Sequence, residues 1–198
     1  TSTFRFEDVG VTKGFDYSRT NNPTRKALEE SITSLEGGVG SSCVATGMAA
    51  ITTALHLFRS GDHLICTHDC YGGTDRLLRT YREQFGIETT YVHMSRLDEV
   101  VSSIRPETRG FWIETPSNPL LNIIDIRALS EIAHEHNALS IVDNTFLSPY
   151  NQRPFELGAD VVIHSTTKYL NGHSDVVGGA VVSNREDLAA RIQWLTNA

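Results

Sequence analysis

Four short stretches carry residue types that could do chemistry together. In His164-Ser165-Thr166-Thr167-Lys168-Tyr169, with Gly172-His173 behind it, a lysine and several hydroxyls follow directly on an apolar run. The hydroxyls could hold a phosphate, and the amine could form an imine with an aldehyde. The plain alternative is a solvated lysine in a polar loop. A second apolar run ends at Asp143, where a carboxylate must be paired, hydrogen-bonded or neutralised. It suits a protonated pyridine nitrogen, or else it caps the following turn. Ala45-Thr46-Gly47-Met48 opens a helix, whose first N–H groups lack internal partners and attract anions, and Gly47 lets a phosphate approach the backbone. Tyr71-Gly72-Gly73-Thr74 puts an aromatic at another turn into a helix, free to stack on a flat ring or to join the core.

The elements that must position these residues alternate. Short β-branched runs at His63–Thr67, Thr89–His93, Gly110–Glu114, Leu139–Asp143, Asp160–His164 and Gly179–Ser183 read as strands, several apolar enough to be covered on both faces. Helical runs at Thr74–Gln84, Leu97–Ile104, Ile126–Asn137 and Glu186–Thr196 separate them. Near the front, a helix starts at Asn22-Pro23 and stops at Gly37-Gly38, with Ala27, Leu28, Ile32 and Leu35 close to one stripe. Another runs from Gly47-Met48 to Arg59. The alternation predicts an α/β fold, a mainly parallel sheet with helices on both faces, in one domain or most of one. Such sheets bind ligands beyond the carboxyl ends of their strands, where Glu114 to Asn118, Asp143-Asn144-Thr145 and Ser165 to Lys168 fall.

Composition narrows the partners. A net charge of −7 with scattered acidic residues argues against a nucleic-acid surface, and no apolar stretch reaches the length of a membrane span. Cys43, Cys66 and Cys70 have no framework spacing and read as reduced cytosolic thiols. No second Cys/His pair completes a metal set around Cys66-Thr67-His68-Asp69-Cys70, so no metal is expected. The chain opens on Thr1-Ser2-Thr3-Phe4, without an initiator methionine, and looks cut.

The ordered segments Tyr17-Ser18-Arg19 with Asn22-Pro23-Thr24, Thr46-Gly47-Met48-Ala49-Ala50, Tyr71-Gly72-Gly73-Thr74, Glu114-Thr115-Pro116-Ser117-Asn118-Pro119, Asp143-Asn144-Thr145 and Ser165 through His173 span nearly the whole chain. In them the sequence resembles the Cys/Met-metabolism family of fold-type I enzymes that use pyridoxal 5′-phosphate (PLP). The resemblance implies that Lys168 holds PLP as a Schiff base and shuttles protons, and that Asp143 pairs with the pyridine nitrogen. Gly47, Met48, Ser165 and Thr167 would bind the phosphate. Tyr71 would stack on the ring and assist proton transfer, while Asn118 would lie near the cofactor's phenolic oxygen and the substrate carboxylate, and Thr145 would join the cofactor shell. Tyr17 and Arg19 would reach the phosphate of a neighbouring subunit. The active sites would then be shared in a homodimer, itself paired as a dimer of dimers, with residues 1–40 forming the donated arm and first helix.

The same resemblance implies a large PLP-binding domain over residues 1–198 and a small C-terminal domain, not present here, that supplies a substrate-binding arginine. The expected reaction is γ-replacement or γ-elimination on sulfur amino acids in the cytoplasm. His68 to Gly73 and Asn171 to Asp175 look closest to bacterial cystathionine γ-synthases, and Gly73 departs from the cysteine usual in methionine γ-lyases. A cystathionine γ-lyase or β-lyase is the alternative, and a non-catalytic PLP-binding or assembly fragment is the alternative of another class. His68, His164 and His173 are expected to be structural, Phe111 and Trp112 core, and Arg76, Arg79 and Arg82 a solvated face.

Overall fold

The computed structural model describes residues 1–197. Seven strands, β1 (Gly40–Val44), β2 (His63–Thr67), β3 (Glu88–Val92), β4 (Thr108–Glu114), β5 (Leu139–Asp143), β6 (Val161–His164) and β7 (Gly179–Ser183), form one sheet in the order β1-β7-β6-β5-β4-β2-β3. From β6 to β3 every neighbouring pair is parallel; β7 runs antiparallel to both β6 and β1. Two reversals leave β1 pointing the same way as β6. The carboxyl ends of β1, β2, β4, β5 and β6 therefore lie along one edge of the sheet.

Alternation along the buried strands divides the core in two. Phe111, Ile113 and Val142 meet Ile126, Leu129 and Ala133 of α5 (Ile126–Glu135), with Ile32 of α1 (Pro23–Glu36) and Val100 of α4 (Leu97–Ser102) in the same cluster. Trp112, Leu64 and Ile163 meet Ala50 and Ala54 of α2 (Gly47–Leu55), Leu78 of α3 (Gly72–Phe85) and Ile192 of α7 (Glu186–Asn197). Helices thus cover both faces, which is why these strands carry apolar residues on both sides. Phe111 and Trp112 are core, as their sequence context predicts.

Local signals set the helix ends near the site. Asn22 Oδ1 accepts from Thr24 N (2.9 Å) and Arg25 N (3.3 Å), Pro23 follows, and Gly37 closes α1 at φ 77°. Thr46 Oγ1 accepts from Ala49 N at 2.9 Å and starts α2 at the sheet edge.

Four expectations need correction. β1 was not anticipated; Gly40-Ser41-Ser42-Cys43 is small and polar, and it is a strand because β7 pairs with it throughout. The second helix ends at Leu55, not Arg59, since Leu57 N and Phe58 N bond only three residues back, at 3.1 Å each. A short α6 (Ser148–Asn151) and a 3-10 turn at Pro154–Leu157 were not anticipated either. Of the expected apolar stripe on α1 only Ile32 is buried; Leu28 and Leu35 are exposed, and Glu36 is buried in their stead.

Candidate active site

A cavity of about 340 Å³ opens at the carboxyl edge, between the start of α2, the β2–α3 turn and the loops after β4, β5 and β6. Except for Tyr17 and Arg19, every residue expected in the site lines it: Gly47, Met48, Tyr71, Asn118, Asp143, Thr145, Ser165, Thr167 and Lys168. Segments separated by more than a hundred residues meet here because each follows a strand ending at this edge.

One wall is the start of α2. A Cβ added to Gly47 would stand 2.6 Å from Ser165 Cβ and 2.8 Å from Ser165 Oγ, so only glycine lets the helix approach Ser165 this closely. The first bond of the helix runs from Ala50 N to Thr46 O (3.1 Å), which leaves the amides of Gly47 and Met48 ahead of the intrahelical ladder. Beside Ser165 they form an anion cradle. Thr145 Oγ1 accepts from Ser165 N at 2.8 Å and so ties the loops after β5 and β6 together. The Thr167 hydroxyl is already engaged, donating to Gly178 O (3.2 Å) and accepting from Gly178 N (3.0 Å).

The floor is acidic. Glu114 and Asp143 end adjacent strands in register, 5 % and 7 % exposed. Burial pushes the Glu114 carboxyl up to about 9, and the charge of Asp143 adds to it. Burial also raises Asp143, but hydrogen bonds from the Thr145 side chain and backbone, and the His164 ring behind it, work the other way. Two buried carboxyls side by side do not both ionise readily, and each is raised by burial while hydrogen-bond donors, Thr145 for Asp143 and the Tyr71 and Asn118 amides for Glu114, work the other way. Asp143 Oδ1 accepts from Thr145 N at 3.1 Å.

Lys168 lines the cavity yet is exposed, with Tyr71 (42 % exposed) and Asn118 also at the open side. The loop after β6 carries Lys168 to the rim of the cavity. The histidines stay out of the cavity. His164 is buried against Glu36, His68 stacks on His93 with ring centroids 3.6 Å apart, and His173 Nδ1 donates to Asn171 O at 2.8 Å.

A phosphate cradle, a buried carboxylate for a protonated pyridine, an exposed aromatic ring and a primary amine around one cavity form a donor set that fits PLP. The model of the family described as Cys/Met metabolism PLP-dependent enzyme matches residues 1–198. The chain belongs to this family. Among relatives of this PLP-dependent family, cystathionine β-lyase of Lactococcus lactis subsp. cremoris is 49 % identical over 198 residues, covering 100 % of this chain and 52 % of that protein. Cystathionine γ-lyase of Bacillus subtilis is 49 % identical over 197 residues, with the same coverages. The crystal structure of cystathionine γ-synthase from Xanthomonas oryzae pv. oryzae in complex with aminoacrylate and cysteine superposes with a TM-score of 0.97 at 43 % identity, covering 100 % of this chain and 51 % of that one. The chain thus spans about half the length of the relatives it matches. The sheet is the PLP-binding fold of that family.

Tyr17 and Arg19 lie away from the cavity of their own chain. Arg19 sits over the Tyr17 ring (5.7 Å to the centroid) and its Nη1 donates to Asn197 O at 2.9 Å, at the end of α7. Ile51, Phe146 and Val177 line the cavity and were not anticipated, whereas Glu114 lines it at the carboxyl edge where the sequence placed it. Phe146 follows Thr145 directly, and that adjacency was the available signal; Ile51 and Val177 read as ordinary apolar residues.

Proposed function

We propose that this protein is a PLP-dependent enzyme performing γ-replacement or γ-elimination on sulfur amino acids, with cystathionine γ-synthase activity as the first reading. The observation that carries it is the meeting of Lys168, Asp143 and the Gly47–Ser165 cradle around one cavity. When bound, PLP supplies an electron sink that stabilises negative charge at the substrate α-carbon.

The remaining work falls to the chain. Lys168 Nζ would hold the cofactor, and its free amine would take the proton from the substrate α-carbon and return a proton elsewhere on the substrate. Asp143 would face the pyridine nitrogen and favour its protonated form, which keeps the sink effective. The amides of Gly47 and Met48, with the Ser165 hydroxyl, hold the phosphate; Thr167 joins them by turning its donor from Gly178. Tyr71 covers the ring and offers a hydroxyl for proton transfer, Thr145 fixes Asp143, and Asn118 orients the substrate side. Tyr17 and Arg19 act in a neighbouring subunit's site, which makes the working unit a homodimer. Free, buried Cys66 and Cys70 accord with a cytoplasmic setting.

A lyase is the second reading, favoured by the 49 % identity to β- and γ-lyases. Products separate the two. A synthase joins cysteine to an O-acylhomoserine and releases the acyl group as a carboxylate, whereas a lyase, with cystathionine and water, releases a thiol amino acid, a keto acid and ammonia. The cofactor assignment is tested by borohydride reduction of the PLP-loaded protein followed by peptide mapping. A pyridoxyl adduct on Lys168 is expected, and its absence would overturn the reading.

A further inference from the structure

Glu114 is the buried acid of the site that has no role in the reading above. It ends β4 beside Asp143, and its two oxygens take different partners. Oε2 accepts from Tyr71 N at 2.7 Å, and Oε1 accepts from Asn118 N at 2.9 Å. These amides belong to the two segments that flank the cavity mouth.

We propose that Glu114 is a positioning residue for the reaction: one carboxyl latches the Tyr71 turn and the Asn118 loop to the cavity floor, and so sets where the Tyr71 ring and the Asn118 side chain stand over PLP. The proposal rests on the PLP reading and deepens it.

Tyr71 is the N-cap of α3, and its side chain makes no capping bond. A carboxyl from β4 serves the helix start instead, where negative charge or an acceptor is favoured. Tyr71 and Asn118 are both exposed, the Tyr71 ring lying over Gly73, and the backbone latch fixes the turn and the loop that carry the two side chains. The Asn118 loop has a separate anchor. Asp69 accepts from Ser117 Oγ and from Asn122 Nδ2 (2.8 Å), and Ser117 Oγ accepts from Asn122 N at 2.9 Å. Removing the Glu114 contact therefore frees Asn118 without releasing the whole loop.

The charge state makes the test clean. Burial and Asp143 push the Glu114 carboxyl up to about 9, so near neutral pH it is uncharged and glutamine matches it in both shape and charge. Glutamine keeps one acceptor and turns an NH₂ toward the other amide. Glu114→Gln therefore breaks one arm of the latch and leaves the field at Asp143 largely as it was.

The experiment compares four PLP-loaded proteins: the parent, Glu114→Gln, Tyr71→Phe and the double variant. Borohydride mapping of Lys168 establishes cofactor attachment in each. Visible circular dichroism reads the asymmetry of the ring's surroundings, and kcat and KM are measured separately. With Lys168 adducts intact, Glu114→Gln is expected to weaken the cofactor's dichroic band and to lower kcat by about ten- to a hundredfold, the cost of misplacing a positioned group by up to 1 Å. Its effect on kcat should shrink in the Tyr71→Phe background, because the hydroxyl that the latch places for proton transfer is already gone there. A dichroic band and kcat matching the parent, or an equal effect in both backgrounds, overturns the latch while the Lys168 adduct keeps the PLP reading. A parent without the adduct overturns the PLP reading itself, and the latch with it. If Glu114→Gln does not fold, Glu114→Asp, whose oxygens fall short by about 1.5 Å, one C–C bond, gives the same test with the same two outcomes.

Discussion

Glu114 and Asp143 stand side by side at the ends of β4 and β5, and their burial links the chemistry of the floor to stability. In the unfolded chain Glu114 titrates at its ordinary value of 4.5, and in the fold it is pushed up to about 9. Below 4.5 both states are protonated and nothing is lost. As pH rises from 4.5 toward 9, the unfolded chain ionises first, the folded state binds more protons, and stability falls. Asp143, also raised, contributes with the same sign. Without PLP, the melting temperature is therefore expected to decline across that window, and Glu114→Gln should flatten the decline. Melting curves of both proteins at stepped pH check this, and parallel declines would refute it. At this scale the sequence is informative when a residue's neighbours are sequential. Lys168 could be singled out because Ser165, Thr166 and Thr167 precede it, and Asp143 because Ile141-Val142 do. Glu114 kept its latch hidden, because its partners Tyr71 and Asn118 are brought to it by different loops.

The cradle is a property of two elements in contact, the start of α2 and the loop after β6. Adding a methyl at Gly47 would bring it within 2.6 Å of Ser165 Cβ, so the helix start must retreat or Ser165 must turn away. Gly47→Ala is expected to leave the sheet intact and weaken PLP binding by about tenfold or more, roughly 1.4 kcal/mol. Titration of the protein with PLP, followed by absorbance, measures it; unchanged affinity would remove Gly47 from the cradle. The elements themselves were largely legible. β2, β5 and β7 have the predicted limits because β-branched runs end abruptly at polar residues. β1 was illegible because its pairing with β7 reaches across more than a hundred residues, and small polar side chains carry no strand signal of their own. The end of α2 was misplaced because Phe58, buried after the helix has ended, continues the apolar periodicity.

At the scale of the molecule, the arm holding Tyr17 and Arg19 is remote from the cavity in its own chain, and apolar side chains beside it face outward. Leu28, Leu35 and Val39 are each at least half exposed, an apolar surface of the kind that marks an interaction site. The shared site proposed above requires a second copy whose arm reaches the cavity of the first. This arrangement predicts complementation. Arg19→Ala and Lys168→Ala are each expected to be inactive alone, the first for lack of a phosphate ligand in trans, the second for lack of the amine. When the two are co-expressed with different tags and the hybrid is isolated through both tags, one site of each hybrid dimer has the intact Lys168 of one chain and the intact Arg19 of the other. The second site lacks both. Activity should therefore reappear in the doubly tagged fraction and stay absent from each parent variant. Self-contained sites predict the opposite, since no chain in the hybrid holds both residues, and a doubly tagged fraction as inactive as its parents would place Arg19 outside the shared site and leave it as the residue that closes α7 at Asn197.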